Sequence, residues 1–138
     1  EAMVSGDRAL LRQVFINLLD NAIKYTPEGG KVAAGLSIEG ENGKSRATVR
    51  VADTGIGIAP DEQVRLFEKF YRTKRGNRSG AAGTGLGLAI VKSVVERHRG
   101  KVWVESKPDR GSAFYVTLPL INGVSFSEQR MRKAAVPA

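Results

Sequence analysis

The sequence predicts an α/β fold, a two-layer sandwich in which helices cover one face of a mixed, mostly antiparallel sheet. Two segments have apolar residues at three- and four-residue spacing, which is typical of amphipathic helices. Two further regions each contain a pair of alternating segments joined by a short turn, which is typical of β-hairpins. Because helices and hairpins follow one another as separate units, we expect one sheet beneath the helices.

The first helix is predicted to begin after Asp7, a favourable N-cap residue, and to end near residues 26–27. A hairpin follows, with predicted strands at 32–38 and 47–53 and a turn at 40–43. In both strands apolar residues alternate with other residues, which supports this assignment.

The second half of the chain is predicted to contain a loop, a long helix and a second hairpin. Asp61 is expected to cap a short helix that runs to Phe67 or Phe70. The segment 73–83 has no apolar period and is rich in Gly, Ser, Asn, Arg and Ala, so we expect a mobile loop. The remaining predicted elements are a largely buried helix that opens at 83–87 and stops at Gly100, and strands 101–106 and 112–118 joined by a turn at 107–111.

Composition sets the broad class of the protein. The 138 residues carry a net charge of +8, which favours nucleic acid, an acidic membrane surface or nucleotide phosphates as partners. The length is typical of one domain with its own core. The absence of cysteine excludes disulfide scaffolds, zinc knuckles and thiol nucleophiles, and is compatible with a reducing compartment.

No apolar run approaches the ~18 residues that span a bilayer, so no membrane insertion by this segment is expected. The chain begins at Glu1 rather than Met and leads at once into a periodic segment. We therefore expect it to be a fragment of a longer protein.

Three polar residues of the first helix form a candidate metal and phosphate site. At about 100° per residue, Asn17, Asn21 and Lys24 fall within roughly 60° of one another and away from the apolar face. Amide oxygens are hard ligands suited to Mg²⁺, and an ammonium group can contact the phosphates that the ion bridges. A solvated helix face has the same pattern, so these residues alone select no function.

Asp53 ends a predicted strand and is followed by Gly55 and Gly57. Glycines at these positions let the backbone approach a flat ligand, and the carboxylate can accept a hydrogen bond from an exocyclic amine such as that of adenine. The same residues also fit an ordinary turn after a strand.

A glycine-rich segment, Gly83-Thr84-Gly85-Leu86-Gly87, opens the long helix. Such a helix N-terminus offers unpaired N–H groups and a positive dipole end to phosphate. The segment is not a Walker loop, because no Gly-Lys-Ser/Thr follows it. It is not a dinucleotide fingerprint either, because no parallel βαβ unit surrounds it.

Taken together and in this order, the segments resemble the ATP-binding catalytic domain of sensor histidine kinases over roughly residues 5–120. Four boxes of that family have counterparts here, and the closing strand fits as well. The matching segments are NLLDNAIKYT at 17–26 (N box), DTGIGI at 53–58 (G1 box), LFEKFYR at 66–72 (F box), GTGLGLAIV at 83–91 (G2 box) and the strand at 111–119.

The resemblance implies a Bergerat-type sandwich, shared with gyrase, MutL and heat-shock chaperone ATPases, that uses ATP and Mg²⁺ as cofactors. It implies that Asn21 ligates the metal with Asn17 beside it, and that Lys24 contacts phosphate. Tyr25 would flank the base, and Asp53 would read adenine. The other nucleotide-binding positions that it implies are Gly55, Gly57, Ile58, Arg72, Thr84, Gly85, Leu86, Gly87, Leu88 and Thr117.

The resemblance also implies a flexible lid over the nucleotide, at about residues 59–82. Basic residues in this lid would compensate phosphate charge. They are Arg72 and, beyond it, Lys74, Arg75 and Arg78.

One departure from the wider superfamily bears on the reaction. Its hydrolytic and serine-kinase members have a glutamate one helical turn before the metal-binding asparagine, whereas this chain has Asn17, which cannot act as a general base. The resemblance therefore implies a protein-histidine kinase domain that donates the γ-phosphate of Mg-ATP to a histidine in two-component signalling. That histidine would belong to a separate, upstream dimerisation domain, since His98 is the only histidine here and is interpreted as a structural or surface residue.

Further partners and boundaries follow from the same resemblance. A response regulator receiver domain is expected as a partner, and nucleic acid is not. The catalytic domain is expected at 1–121, followed by a poorly ordered tail at 122–138. The expected location is cytoplasmic, either in a soluble protein or in the cytoplasmic part of a membrane-bound sensor.

Two alternatives stay open from the residues alone. An anti-sigma-factor-type serine kinase shares the fold but should have the carboxylate that Asn17 lacks. A noncatalytic nucleotide- or nucleic-acid-binding module would also suit the basic charge, although no reading helix is recognised.

Overall fold

The computed structural model describes residues 3–40, 44–78 and 85–121. Helices and hairpins follow in the predicted order, with two short helices between the halves. The elements are α1 (Arg8–Lys24), β1 (Val32–Glu39), β2 (Arg46–Asp53), α2 (Pro60–Gln63), α3 (Lys74–Arg78), α4 (Gly87–Arg97), β3 (Lys101–Lys107) and β4 (Gly111–Pro119).

The four strands form one sheet in the order β1-β2-β4-β3. Every pair in it is antiparallel, with Val51 of β2 opposite Phe114 of β4 and Trp103 of β3 opposite Tyr115 of β4. The predicted two-layer α/β sandwich is confirmed. The sheet is antiparallel throughout the described strands rather than mixed, because both hairpins are consecutive in sequence and meet through β2 and β4.

The core lies between one face of the sheet and the two long helices. Val14 and Leu18 of α1 are fully buried, as is Val91 of α4. They pack with Val51 and with alternate residues of β4 such as Val116. Burial of a side chain of this size contributes about 1.5–3 kcal/mol, so this layer contact dominates the stability of the fold.

Helix α1 begins as predicted, because the Asp7 side chain accepts a hydrogen bond from the Leu10 N–H and caps the helix. Strand β1 lies at the edge of the sheet and is exposed along its whole length. None of the described helices is long and apolar enough to cross a membrane.

The segment between β2 and α4 differs from the sequence prediction. Helix α2 covers only Pro60–Gln63 and is preceded by Ala59, so Asp61 lies in its first turn and is not its cap. Pro60 sets this start, because proline at the first helical position needs no N–H partner. The predicted helix to Phe67 or Phe70 is replaced by turns, and Phe70 adopts a positive φ of 66°.

Part of the predicted mobile loop is helical. Helix α3 occupies Lys74–Arg78, and the Thr73 Oγ1 accepts a hydrogen bond from the Gly76 N–H at its start. A helix of five residues leaves no apolar period, which is why the pattern did not reveal it. The rest of that loop and the tail at 122–138 lie outside the described residues.

Candidate functional site

A cleft of about 380 Å³ lies between α1, the end of β2 and the beginning of α4. Its volume is within the roughly 300–1,000 Å³ typical of small-ligand sites. Helix α1 contributes polar side chains to the lining, and apolar side chains come from several other segments. The lining residues are Asn17, Asp20, Asn21, Lys24, Tyr25, Asp53, Ile56, Gly57, Ile58, Leu66, Tyr71, Arg72, Thr73, Gly85, Leu86, Gly87, Leu88, Ile90, Ser112 and Phe114.

The two asparagines of α1 have different environments. The Asn17 amide donates to the Gly87 carbonyl at 3.3 Å, and its oxygen accepts from the Gln13 side chain at 2.7 Å, so Asn17 fixes α1 to the start of α4. The Asn21 side chain lines the cleft and makes no hydrogen bond to any described residue. Its amide oxygen is therefore available to a ligand or a divalent ion.

Lys24 follows Asn21 on the same stripe and also lines the cleft. Its Nζ lies 2.8 Å from Asp20 Oδ2, one helical turn earlier. This ion pair holds the ammonium group at the cleft edge, where it can contact a ligand phosphate.

Asp53 is oriented by the backbone around it. One carboxylate oxygen, Oδ1, accepts from the N–H groups of Gly55 at 2.9 Å and Ser112 at 3.3 Å. The other oxygen accepts no hydrogen bond from the described residues. Desolvation by burial raises the pKa of Asp53 above its ordinary 3.8, and the two N–H groups oppose that rise. The carboxylate thus presents one free acceptor to the cleft.

The loop after β2 needs glycine at both predicted positions. Gly57 has a φ of 70°, and a Cβ there would lie 1.9 Å from the Lys107 carbonyl oxygen. A Cβ on Gly55 would lie 2.2 Å from the Tyr25 carbonyl oxygen. The Ile58 N–H donates to Ser106 Oγ at 2.9 Å. The loop therefore lies tightly against the second hairpin and forms one wall of the cleft.

The segment before α4 forms the opposite wall. Gly85 has a φ of 75°, and its carbonyl accepts from the Phe70 N–H at 2.8 Å. Helix α4 begins after Leu86 without a side-chain cap, and Gly87 and Leu88 of its first turn line the cleft. This end of α4 is suited to bind an anionic group.

The structure brings most of the predicted site residues together at this cleft. Gly55 does not line it but lies beneath Asp53, and Thr84 lies outside the described residues. Twelve do line it, namely Asn17, Asn21, Lys24, Tyr25, Asp53, Gly57, Ile58, Arg72, Gly85, Leu86, Gly87 and Leu88.

Thr117, which the resemblance implies as a nucleotide-binding position, is not among the residues that line the cleft. Side chains alternate along β4, so Phe114 and Val116 face the helices while Tyr115 and Thr117 face the other side of the sheet. Thr117 is buried there and does not line the cleft.

The resemblance assigns several basic residues to a lid over the nucleotide, but those whose side chains are described do not all line the cleft. Arg72 lines it, but Arg75 donates to the Ile56 carbonyl at 2.9 Å and pairs with Asp109. The Lys74 side chain is absent from the lining. The side chain of Arg78 lies outside the described residues.

Sequence reasoning missed several lining residues. Asp20 had a detectable signal, since it precedes Lys24 by four residues on the helix. Ser112 and Tyr71 come from distant parts of the chain and reach the cleft only through sheet pairing and turns.

His98 lies outside the cleft lining, and its ring makes two hydrogen-bond contacts within the fold. Its Nε2 accepts from the Asp7 N–H at 3.0 Å, and its Nδ1 lies 2.7 Å from the Val94 carbonyl oxygen. Both ring nitrogens are therefore engaged, and they join the beginning of α1 to the end of α4.

Comparison with known proteins identifies similar domains. A sequence model of the family described as "Histidine kinase-, DNA gyrase B-, and HSP90-like ATPase" matches residues 6–122. The adaptive-response sensory kinase SasA of Rippkaea orientalis is 44% identical over 117 residues, which cover 85% of this chain and 29% of that protein. The chain thus spans less than a third of the length of this curated relative.

Two solved structures extend the comparison. The mycobacterial sensor histidine kinase MprB is 35% identical, with a TM-score of 0.70 over 87% of this chain and 76% of that chain. Full-length ShkA in complex with AMPPNP is 34% identical, with a TM-score of 0.72 over 91% of this chain and 24% of that chain.

Proposed function

Since this chain belongs to the family of histidine kinase-, DNA gyrase B- and HSP90-like ATPases, we propose that it is the catalytic domain of a sensor histidine kinase. In this proposal it binds Mg-ATP and donates the γ-phosphate to a histidine on a separate dimerisation domain. The similarity to SasA, MprB and ShkA supports this function.

One observation carries the proposal: a single cleft is lined by a carboxylate, an amide, an ammonium group and the first residue of a helix. These groups belong to Asp53, Asn21, Lys24 and Gly87. A purine with an exocyclic amine and a phosphate chain has groups complementary to these four.

At the base end, we assign adenine recognition to Asp53. Its Oδ1 is held by Gly55 and Ser112, so the other oxygen is left to accept from the exocyclic amine. The tight Gly57 turn lets the backbone lie close to the base, and the Tyr25 ring flanks it.

At the phosphate end, we assign Asn21 as the metal ligand and Lys24 as a phosphate contact. The Asn21 amide fits Mg²⁺, because it is a hard oxygen donor without a protein partner among the described residues. When bound, the ion neutralises phosphate charge during transfer. Arg72 and the start of α4 add positive potential from the other side.

The residues also fit transfer to an external acceptor better than hydrolysis. Asn17 is an amide engaged by Gln13 and Gly87, so it cannot remove a proton from water. The Asp20 carboxylate lines the cleft but is paired with Lys24. We therefore propose the histidine-bearing dimerisation domain of the parent kinase as the partner in phosphate transfer. A response regulator receiver domain is the further proposed partner, and the proposed location is the cytoplasm.

Calorimetry of the chain with ATP, in the presence and absence of Mg²⁺, tests the proposal. A separate titration with duplex DNA tests the alternative of nucleic-acid binding. We expect Mg²⁺-dependent binding of ATP and no binding of DNA. The Asn21→Ala variant should lose most of the Mg²⁺ dependence, whereas the Gln13→Ala control should retain it. Equal Mg-ATP affinity in wild type and Asn21→Ala would refute the metal assignment.

A further inference from the structure

We propose that Arg75 is a positioning residue that fixes the base end of the cleft by joining helix α3, the loop after β2 and the β3–β4 turn. This inference rests on the proposed function, because the cleft that it shapes is the proposed nucleotide site. It differs from the sequence expectation that Arg75 compensates phosphate charge. We call the contact between Arg75, Ile56 and Asp109 the clasp.

The clasp consists of three polar contacts around one carbonyl group. Arg75 Nη1 donates to the Ile56 carbonyl at 2.9 Å, and Arg75 Nη2 pairs with Asp109 Oδ1. The Asp109 N–H donates to the same Ile56 carbonyl at 2.8 Å. A guanidinium group satisfied by a carbonyl and a carboxylate in a fixed fork is committed to these partners and is not directed at a phosphate.

Asp109 is an exposed turn residue whose side chain contacts Arg75. It adopts a φ of 63°, a region that glycine, asparagine and aspartate enter more readily than other residues. Its side chain is 78% exposed, and its polar partner among the described residues is Arg75. A glycine at this position would keep the turn and remove only the carboxylate.

Helix α3 touches the base end of the cleft on a second side. Gly76 is buried, and a Cβ there would lie 3.3 Å from Cε1 of the Tyr25 ring. The Lys74 N–H donates to the buried Glu62 carboxylate at 3.1 Å. Helix α3 thus contacts both Tyr25 and Ile56, two residues that line the cleft.

These contacts predict the kind of effect that loss of the clasp has. Without Arg75, the Ile56 loop and α3 must be ordered when the ligand binds, so affinity falls through lost preorganisation. Because the clasp acts on the base end, ATP, ADP and AMP should weaken by the same factor. A phosphate contact would instead weaken ATP the most.

The test compares four variants in competition with a fluorescent ATP analogue. They are Arg75→Gln, Asp109→Gly, the double variant, and Arg110→Gln as a control that removes one positive charge from the same turn. We expect Arg75→Gln to weaken all three nucleotides about 5- to 20-fold. Asp109→Gly should weaken them less, without lowering Tm, since glycine relieves the positive φ.

The double variant should be no weaker than Arg75→Gln alone, because both substitutions break one unit. Hydrogen exchange without nucleotide gives a readout that is independent of the proposed function: amides at 74–78 should exchange faster in Asp109→Gly than in Arg110→Gln. Unchanged exchange, or a loss for ATP that exceeds the loss for AMP, would overturn the clasp. Absence of nucleotide binding by wild type would refute the proposed function. The hydrogen-exchange result would then decide whether the clasp orders residues 74–78.

Discussion

The Asp53 carboxylate is half-buried at the end of β2, where desolvation raises its pKa and hydrogen bonds from Gly55 and Ser112 lower it. Desolvation is the larger of these effects, so the folded state binds the proton more tightly than the unfolded chain does. The contribution of Asp53 to stability is therefore fully present below pH 3.8 and is lost as the pH rises through its raised pKa. At neutral pH the ionised carboxylate destabilises the fold.

Asp53→Asn should therefore raise the free energy of unfolding at pH 7. The gain should shrink as the pH falls below 3.8, where the wild-type carboxyl is protonated as well. Thermal unfolding of both proteins between pH 3 and 7 measures this difference. Glu28→Gln, at an exposed turn, serves as the control for the removal of one carboxylate. A gain that is equal at all pH values would contradict the desolvation argument.

The same substitution should reduce ATP affinity. In the variant, Oδ1 continues to accept from Gly55 and Ser112, so the amide NH₂ takes the place of the free oxygen and faces the amine of adenine, donor against donor. Loss of a charged hydrogen bond costs about 1.5–3 kcal/mol, which is roughly a 10- to 150-fold weaker affinity. Calorimetry with ATP and GTP checks this. An equal proportional loss for both nucleotides would count against adenine recognition.

At the scale of elements, the loop after β2 depends on its contact with the second hairpin. Gly57 lies directly against the Lys107 carbonyl, and Ser106 Oγ accepts from the Ile58 N–H. The loop holds no helix or strand of its own. Its shape therefore comes from the β3–β4 turn, which follows it by about fifty residues.

Gly57→Ala should destabilise the protein by about 2–4 kcal/mol, because it combines a positive φ with a steric conflict. Gly29→Ala is the matched control: its φ is 88°, but a Cβ there meets nothing within 4 Å, so only about 1 kcal/mol is expected. Urea unfolding of both variants separates the steric contribution from the strain. Equal losses of unfolding free energy in the two variants would show that the backbone at Lys107 moves away from the added Cβ without cost.

At the scale of the whole molecule, both ends of α4 are bonded to α1 or to its N-cap residue. Asn17 bonds Gly87 beside the cleft, and His98 accepts from the Asp7 N–H at the far end. His98 follows Gly87 by eleven residues. At a rise of 1.5 Å per residue, it lies roughly 16 Å along the axis of α4 from the proposed phosphate end. In-line transfer requires about 3–3.5 Å.

The isolated chain should therefore not phosphorylate itself. With radiolabelled ATP we expect no acid-labile phosphate on this chain, but labelling of a separately supplied dimerisation domain from the parent kinase. His98→Gln should leave that transfer intact. Labelling of this chain that disappears in His98→Gln would overturn the external acceptor.

The sequence by itself determined the two long helices, the four strands and most of the cleft. The helical period of α1 places Asn17, Asn21 and Lys24 on one stripe whatever packs against it, and β2 ends at Asp53, two residues before the first glycine. These features depend on local periodicity and on glycine conformation. Both act over a few residues, so a single sequence is enough to predict them.

Tertiary structure decided which contacts form between segments that are distant in the sequence. The side of the sheet that Thr117 faces follows from the register of β4, and the role of Arg75 follows from its contact with Asp109, 34 residues away. The helix at Lys74–Arg78 is likewise too short to form by propensity. It depends on capping by Thr73 and on the Glu62 carboxylate. A short helix does not offset its own nucleation cost, so only packing against the rest of the fold stabilises it.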